Sequence, residues 1–172
     1  MRTGHTLMIA IAAVMLLAGE GVAAQKGHVS YSVSAKDTTY TEQHNIKVDD
    51  APDHILRAYE FRRTFPSNAP VINGVEVVEE WSRGITDRSE GNGATKIYGT
   101  LVMKNGDKIF IEATAIVVPN STTGRTDATF GGKIAGGTGK FVAIKGLVRG
   151  TNTFDLKGYN EGSTNLDYSI GD

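Results

Sequence analysis

The chain is 172 residues long, has a formal net charge of −1 with its lysines and arginines scattered along it, and contains no cysteine. Such a charge balance offers no electrostatic footprint for a phosphate backbone, so nucleic acid is not an expected partner. The missing cysteines exclude disulfides, thiolate metal sites and cysteine nucleophiles together.

The first segment reads as a leader. "MRTGHT" carries positive charge, "LMIAIAAVMLLA" (Leu7 to Ala18) is unbroken and apolar, and small residues precede Gln25. That order is the pattern of a secretory signal, with cleavage expected after Ala24. The apolar run is shorter than the ~20 residues a spanning helix needs, which argues against a membrane anchor. The expected product is a secreted or periplasmic single domain, residues 25–172, with no membrane association after cleavage.

From there, short runs of alternating or β-branched residues recur between clusters of Gly, Asn and Asp. They cover His28–Lys36, His54–Arg63, Val75–Arg83, Ala94–Lys104, Asp107–Val118, Arg125–Ala135, Lys140–Gly150 and Ser163–Ile170. "KNGD" at Lys104 to Asp107 predicts a two-residue hairpin turn, and the prolines of "DDAPDH" and "FPSNAP" mark places where a strand cannot continue. Regular spacing of short strands predicts an all-β fold. An eight-stranded antiparallel barrel is expected over a sandwich, because closure removes exposed sheet edges.

"KIAGGTGKFVAIKGLVRG" (Lys133 to Gly150) has the composition of a phosphate loop but not its pattern. The position five before Gly139 is Ile134, and Phe141 follows Lys140, where that motif demands Gly and Ser or Thr. The stretch reads instead as a glycine turn between two strands, its glycines supplying positive φ and close backbone approach.

Alternation also nominates site residues. On Val75–Arg83, one face carries Val75, Val77, Glu79 and Trp81 and is the natural inward face. Glu79, beside the only tryptophan, is a candidate acid or base with a raised pKa; the alternative is a solvated carboxylate at the barrel mouth. On His54–Arg63, composition does not choose between the face with Glu60 and Arg62 and the face with Arg57, Tyr59, Phe61 and Arg63. The expected catalytic set is Glu60 and Glu79. Trp81, Arg62, Tyr98 and Glu112 form the expected ligand-binding set. The histidines share no metal-ligand spacing, no metal or cofactor is implied, and no serine-hydrolase elbow is present.

"GGTGKF" followed by "KGLVRGTNTFDLK" resembles the C-terminal signature of plant dirigent proteins. "IYGTLVMKNGDKIFIEATAI" and the same glycine turn are similar to allene oxide cyclases. The resemblance covers Ala94 to Asp172 and implies an eight-stranded antiparallel barrel. It also matches Glu60, after Tyr59, to a cavity glutamate of the cyclases, whose accompanying asparagine is replaced here by Arg62. By implication, the barrel holds a hydrophobic or phenolic small molecule and guides its stereochemistry. A cyclase or isomerase acting on an unsaturated reactive substrate is the alternative, and a filled structural barrel the third reading. Both families commonly form trimers, so a homo-oligomer, trimer or dimer, is expected, with Val142, Ile144 and Val148 as outward residues for its interface.

Overall fold

The computed structural model describes residues 24–171; the leader expected over residues 1–24 lies, apart from Ala24, outside them. The strands are β1 (Gln25–Val33), β2 (Thr38–Lys47), β3 (Ile55–Thr64), β4 (Val71–Ile72), β5 (Val75–Ser89), β6 (Asn92–Met103), β7 (Lys108–Asn120), β8 (Arg125–Gly137), β9 (Lys145–Phe154) and β10 (Asn160–Ile170). All pair antiparallel in the order β1-β10-β9-β8-β7-β6-β5-β3-β2, with the two-residue β4 added beside β5. The expected all-β antiparallel barrel is the observed one, with two differences.

First, there are nine long strands where eight were expected. The additional one is β2, whose sequence "TTYTEQHNIK" is polar on both faces because nearly all of it is exposed. Second, the curled sheet is not sealed by a ladder: β1 and β2 lie at opposite ends of the strand order, joined through a 3₁₀ turn at Ala35–Asp37. Side chains bridge the seam instead. Arg63 on β3 donates to Asn152 on β9 and to Asn160 on β10, each at 2.7 Å, Asn160 donates to the Tyr40 hydroxyl on β2 at 2.8 Å, and Tyr31 on β1 donates to Glu80 on β5 at 3.1 Å.

The two ends of the barrel are packed differently. At one end, inward positions carry large side chains: Val77, Leu101, Met103, Ile109, Ile111, Ile134, Phe141, Ile144 and Leu166 form one buried cluster. Along β7 the inward series then shrinks from Ile109 and Ile111 to Ala113 and Ala115, with Thr95 of β6 opposite Ala115 and Ala128 of β8 opposite Val117. That end of the barrel is hollow. Ile144 and Val148, expected outward, are each 2 % exposed and belong to the core, whereas Val142 is 74 % exposed. The reason is a 3₁₀ turn at Gly139–Phe141, which delays β9 to Lys145 and drives Phe141 into the filled end.

The glycine turn is thus a plug and not a nucleotide cradle. It is clamped onto the β6–β7 hairpin: Thr138 Oγ1 accepts the Lys108 N–H at 2.9 Å and Asp107 accepts the Lys140 N–H at 3.1 Å. In that hairpin only Gly106 has positive φ, +87°, and Gly106 N–H bonds Met103 C=O. The loop is therefore longer than the expected two-residue turn, with glycine in the bulge position. Gly139 sits at φ +52°, and a Cβ there would overlap the Asp107 carboxylate. Gly139→Val is expected to cost about 1–3 kcal/mol, read as a lowered urea midpoint with an unchanged slope.

Candidate functional site

Which residues face the hollow end is decided by a bulge in β5. Its register against β6 jumps from Val77↔Met103 to Glu79↔Val102, so Val78 is an extra residue and the faces exchange beyond it. Val77 points inward, but from there on the inward series is Glu80, Ser82, Gly84, Thr86 and Arg88. On the neighbouring β3, the inward face is Arg57, Tyr59, Phe61 and Arg63. Gly84 stands opposite Tyr59, and a Cβ there would strike its ring, so the glycine lets Tyr59 lie against the wall.

These residues line an internal cavity. Its wall is apolar, from Ile97, Ile111, Ala113, Ala115, Val117, Ala128, Phe130 and Val148, and its roof is polar and aromatic, from Tyr31, Tyr40, Arg57, Tyr59, Arg63 and Glu80. The cavity volume is about 60 Å³, less than the few hundred Å³ of a drug-sized pocket.

Two arginines, each 2 % exposed, define the electrostatics. Arg63 is paired: besides Asn152 and Asn160 it meets Glu80 at 3.3 Å, and Glu80 also accepts from Tyr31. Arg57 packs among rings, its guanidinium carbon 5.1, 5.2 and 5.6 Å from the centroids of Tyr40, Tyr59 and Phe154. Burial raises the Tyr59 phenol, and burial followed by the Glu80 charge raises the Tyr31 phenol well above its ordinary value. Both phenols therefore stay protonated and act as donors at neutral pH.

The six side chains nominated from sequence lie on the outer face of the barrel. Glu79 pairs with Arg62 and accepts from Trp81 Nε1 at 2.8 Å; Arg83 reaches Glu60 at 2.6 Å; Lys133 meets Glu112 at 3.4 Å; Lys96 sits over the Tyr98 ring at 5.2 Å. The structure thus joins Glu79, Trp81 and Arg62 to one another but places none of the six on the cavity wall. Glu60 pairs with Arg83 and Arg62 with Glu79, so these two residues of one strand face do not pair with each other. Nor is the Glu79 pKa raised: the Trp81 hydrogen bond, and then that of Arg62, lower it. Arg57, Arg63, Glu80 and the tyrosines were missed because the bulge at Val78 carries no sequence mark. The usable signal was the aromatic content of the Arg57–Arg63 face and the Ala113–Ala115 step in β7.

Each of the three described histidines has its own acid: His28 faces Asp167, His44 faces Glu42, and His54, on the rim of the hollow end, lies between Asp50 and Asp87. Among the described residues no three such groups converge as a metal set.

No protein-family model and no curated protein sequence matches this chain. Among solved structures, the chain is similar to a pterocarpan synthase dirigent protein, with a TM-score of 0.54, 14 % identity, and coverage of 97 % of this chain and 100 % of that one. A second pterocarpan synthase dirigent protein aligns with a TM-score of 0.46 and 15 % identity over 88 % of this chain and 97 % of that one. The fold is therefore the dirigent-like barrel that the glycine turn and the strands after it resemble.

Removing Glu80 strands Arg63 without its carboxylate. Glu80→Leu is expected to lose about 3–5 kcal/mol, and Arg63→Met with Glu80→Leu, which removes both charges, to lose much less; urea unfolding of the three proteins measures both. At the rim, hydrogen bonds from Asp50 and then Asp87 raise the His54 pKa above 6.5, and His54 lowers that of Asp50 below 3.8. The histidine contribution is complete below pH 6.5 and is lost as pH climbs through the raised value. The Asp50 contribution is complete above pH 3.8 and is lost as pH falls through the lowered one. Exchange protection of the Val48 amide, which bonds His54 C=O at 3.1 Å, is expected to fall on both sides of that window.

Proposed function

We propose that the barrel binds a small phenolic or unsaturated molecule at its hollow end and fixes the orientation in which that molecule reacts, outside the cytoplasm. The observation that carries this reading is the division of the cavity. An apolar wall widened by Ala113, Ala115 and Ala128 takes a flat or aliphatic body, while a roof of Tyr31, Tyr40, Tyr59, Arg57 and Arg63 offers donors to its oxygen atoms. The lining contains neither a histidine nor a serine placed against a base. Holding and orienting is the chemistry that such a wall supplies. Similarity of fold to a protein named a pterocarpan synthase and dirigent supports it.

A cavity of about 60 Å³ is smaller than the ~150 Å³ void that takes up benzene in a rigid core, so a ring enters only as roof side chains swing outward. Tyr40, on the edge strand β2 whose outer side is unpaired, and Arg57, which donates to Gln43 of that strand, are the side chains proposed to move. An isomerase reading rests on one feature, the Glu80 carboxylate held on the roof between Arg63 and Tyr31. The barrel is also proposed to self-associate, with Val142 as the exposed residue retained from the expected interface.

Filling the cavity tests the binding site directly. Ala115 is 2 % exposed and lines the wall, and Ala115→Leu places three more carbons in the void, at a stability change of roughly 1–3 kcal/mol or less. Titration calorimetry with phenol and 4-propylphenol is expected to show saturable binding to the natural chain and at least about a tenfold loss in the variant. Binding that is equal in the two proteins puts the site elsewhere.

A further inference from the structure

We propose that the cavity recognises a carboxylate and that Arg57 holds it; this rests on the reading that the interior binds a small molecule, and names the chemical class that it takes. Arg57 is 2 % exposed and lines the cavity. A guanidinium has five N–H donors and stays charged in any protein setting. Here it makes one hydrogen bond, from Nη2 to Gln43 Oε1 at 2.6 Å, and its buried Nε makes none. Among the described residues, no Asp or Glu oxygen lies within 4.0 Å of it.

The neighbouring charges do not relieve it. Glu80, the one carboxylate on the lining, is already engaged by Arg63 and Tyr31. Arg88, mostly buried at the same end, is a second cation whose pKa is lowered by burial and then by the charge of Arg57. The rings of Tyr40, Tyr59 and Phe154 supply cation–π attraction but no counter-charge. An uncompensated guanidinium taken out of water is costly, and a planar carboxylate is the group its fork matches with paired hydrogen bonds. A carboxylate seated on Arg57 directs its attached body along Ala113, Ala115 and Val117, where the outward movement of the roof side chains makes room for it.

The test compares acids with their neutral isosteres on the full chain. Benzoate against benzamide, and hexanoate against hexanamide, are titrated calorimetrically into the natural protein and into Arg57→Met, with the Arg57 Nε–H resonance followed by NMR. The carboxylates are expected to bind at least about tenfold more tightly than the amides, to shift the Nε–H signal saturably, and to lose that preference over the amides in Arg57→Met. Where Arg57→Met does not fold, Arg57→Lys and the Nε–H shift in the natural protein decide. Equal affinity for acid and amide overturns the carboxylate assignment and leaves interior binding standing. A carboxylate preference that survives Arg57→Met, without a shift at Arg57, overturns the residue assignment. No binding of any of the four compounds, together with none of phenol, overturns both readings.

Discussion

A sheet of nine long strands curled on itself has a girth set by its backbone, so the size of the inward side chains alone decides where it is solid and where it is hollow. Everything else in this molecule follows from how those sizes are distributed. Isoleucine, leucine, methionine and phenylalanine are spent at one end, and Phe141 is carried there by the glycine turn as a stopper. Alanines and threonines stand among the inward residues of the other end, where the space they leave is roofed by residues from β1, β2, β3 and β5. A barrel with one stopped end and one hollow end can have a binding site without sacrificing its core, because the apolar area that holds it together lies in the half that binds nothing.

The roof is the less ordinary part. Two fully buried guanidinium groups in one small cavity are tolerated in different ways, and the difference separates structural from functional roles. Arg63 reaches across the unsealed seam to Asn152 and Asn160 and is balanced by Glu80, so it replaces the backbone ladder that β1 and β2 do not make. Arg57 has rings around it and a single amide oxygen as its acceptor. A group that costs stability without closing a network is the kind retained for what it does to a ligand.

Much of the architecture was legible because barrels advertise themselves through turn residues and period-two alternation. The glycine turn, the β6–β7 hairpin and the small-residue step in β7 could all be read from residue type. The site was less legible, and the reason is one residue long. In a strand, inward and outward alternate without error until a bulge, and Val78 is such an insertion; it moves Glu79 and Trp81 to the outside and brings Glu80 and Ser82 in. Nothing about "VEVVEEWSR" distinguishes the two readings, since both carry a glutamate. On β3, composition left the faces open, and it is the pairing with the bulged strand that orients Arg57 and Arg63 inward. β2 escaped notice for the opposite reason: of this largely exposed edge strand only Thr38 and Tyr40 are withdrawn from solvent, too few to impose a pattern.

The outer cluster shows why that misreading was natural. Trp81 lies between the Arg62 and Arg83 guanidinium groups, at 5.8 and 5.7 Å, with Glu79 and Glu60 completing an alternating chain of charge across β3 and β5. It contains an acid, an aromatic and a cation at short range, the inventory of a binding site, yet every charge in it has a partner and its acid has a lowered pKa. Cross-strand pairs of that kind hold two strands in register. The interior holds the reverse arrangement: of its buried arginines, Arg63 has a carboxylate partner, whereas Arg57 and Arg88 have none among the described residues. An unmatched charge that lines a cavity, as Arg57 does, is a better guide to ligand chemistry than a surface cluster whose charges already neutralise one another.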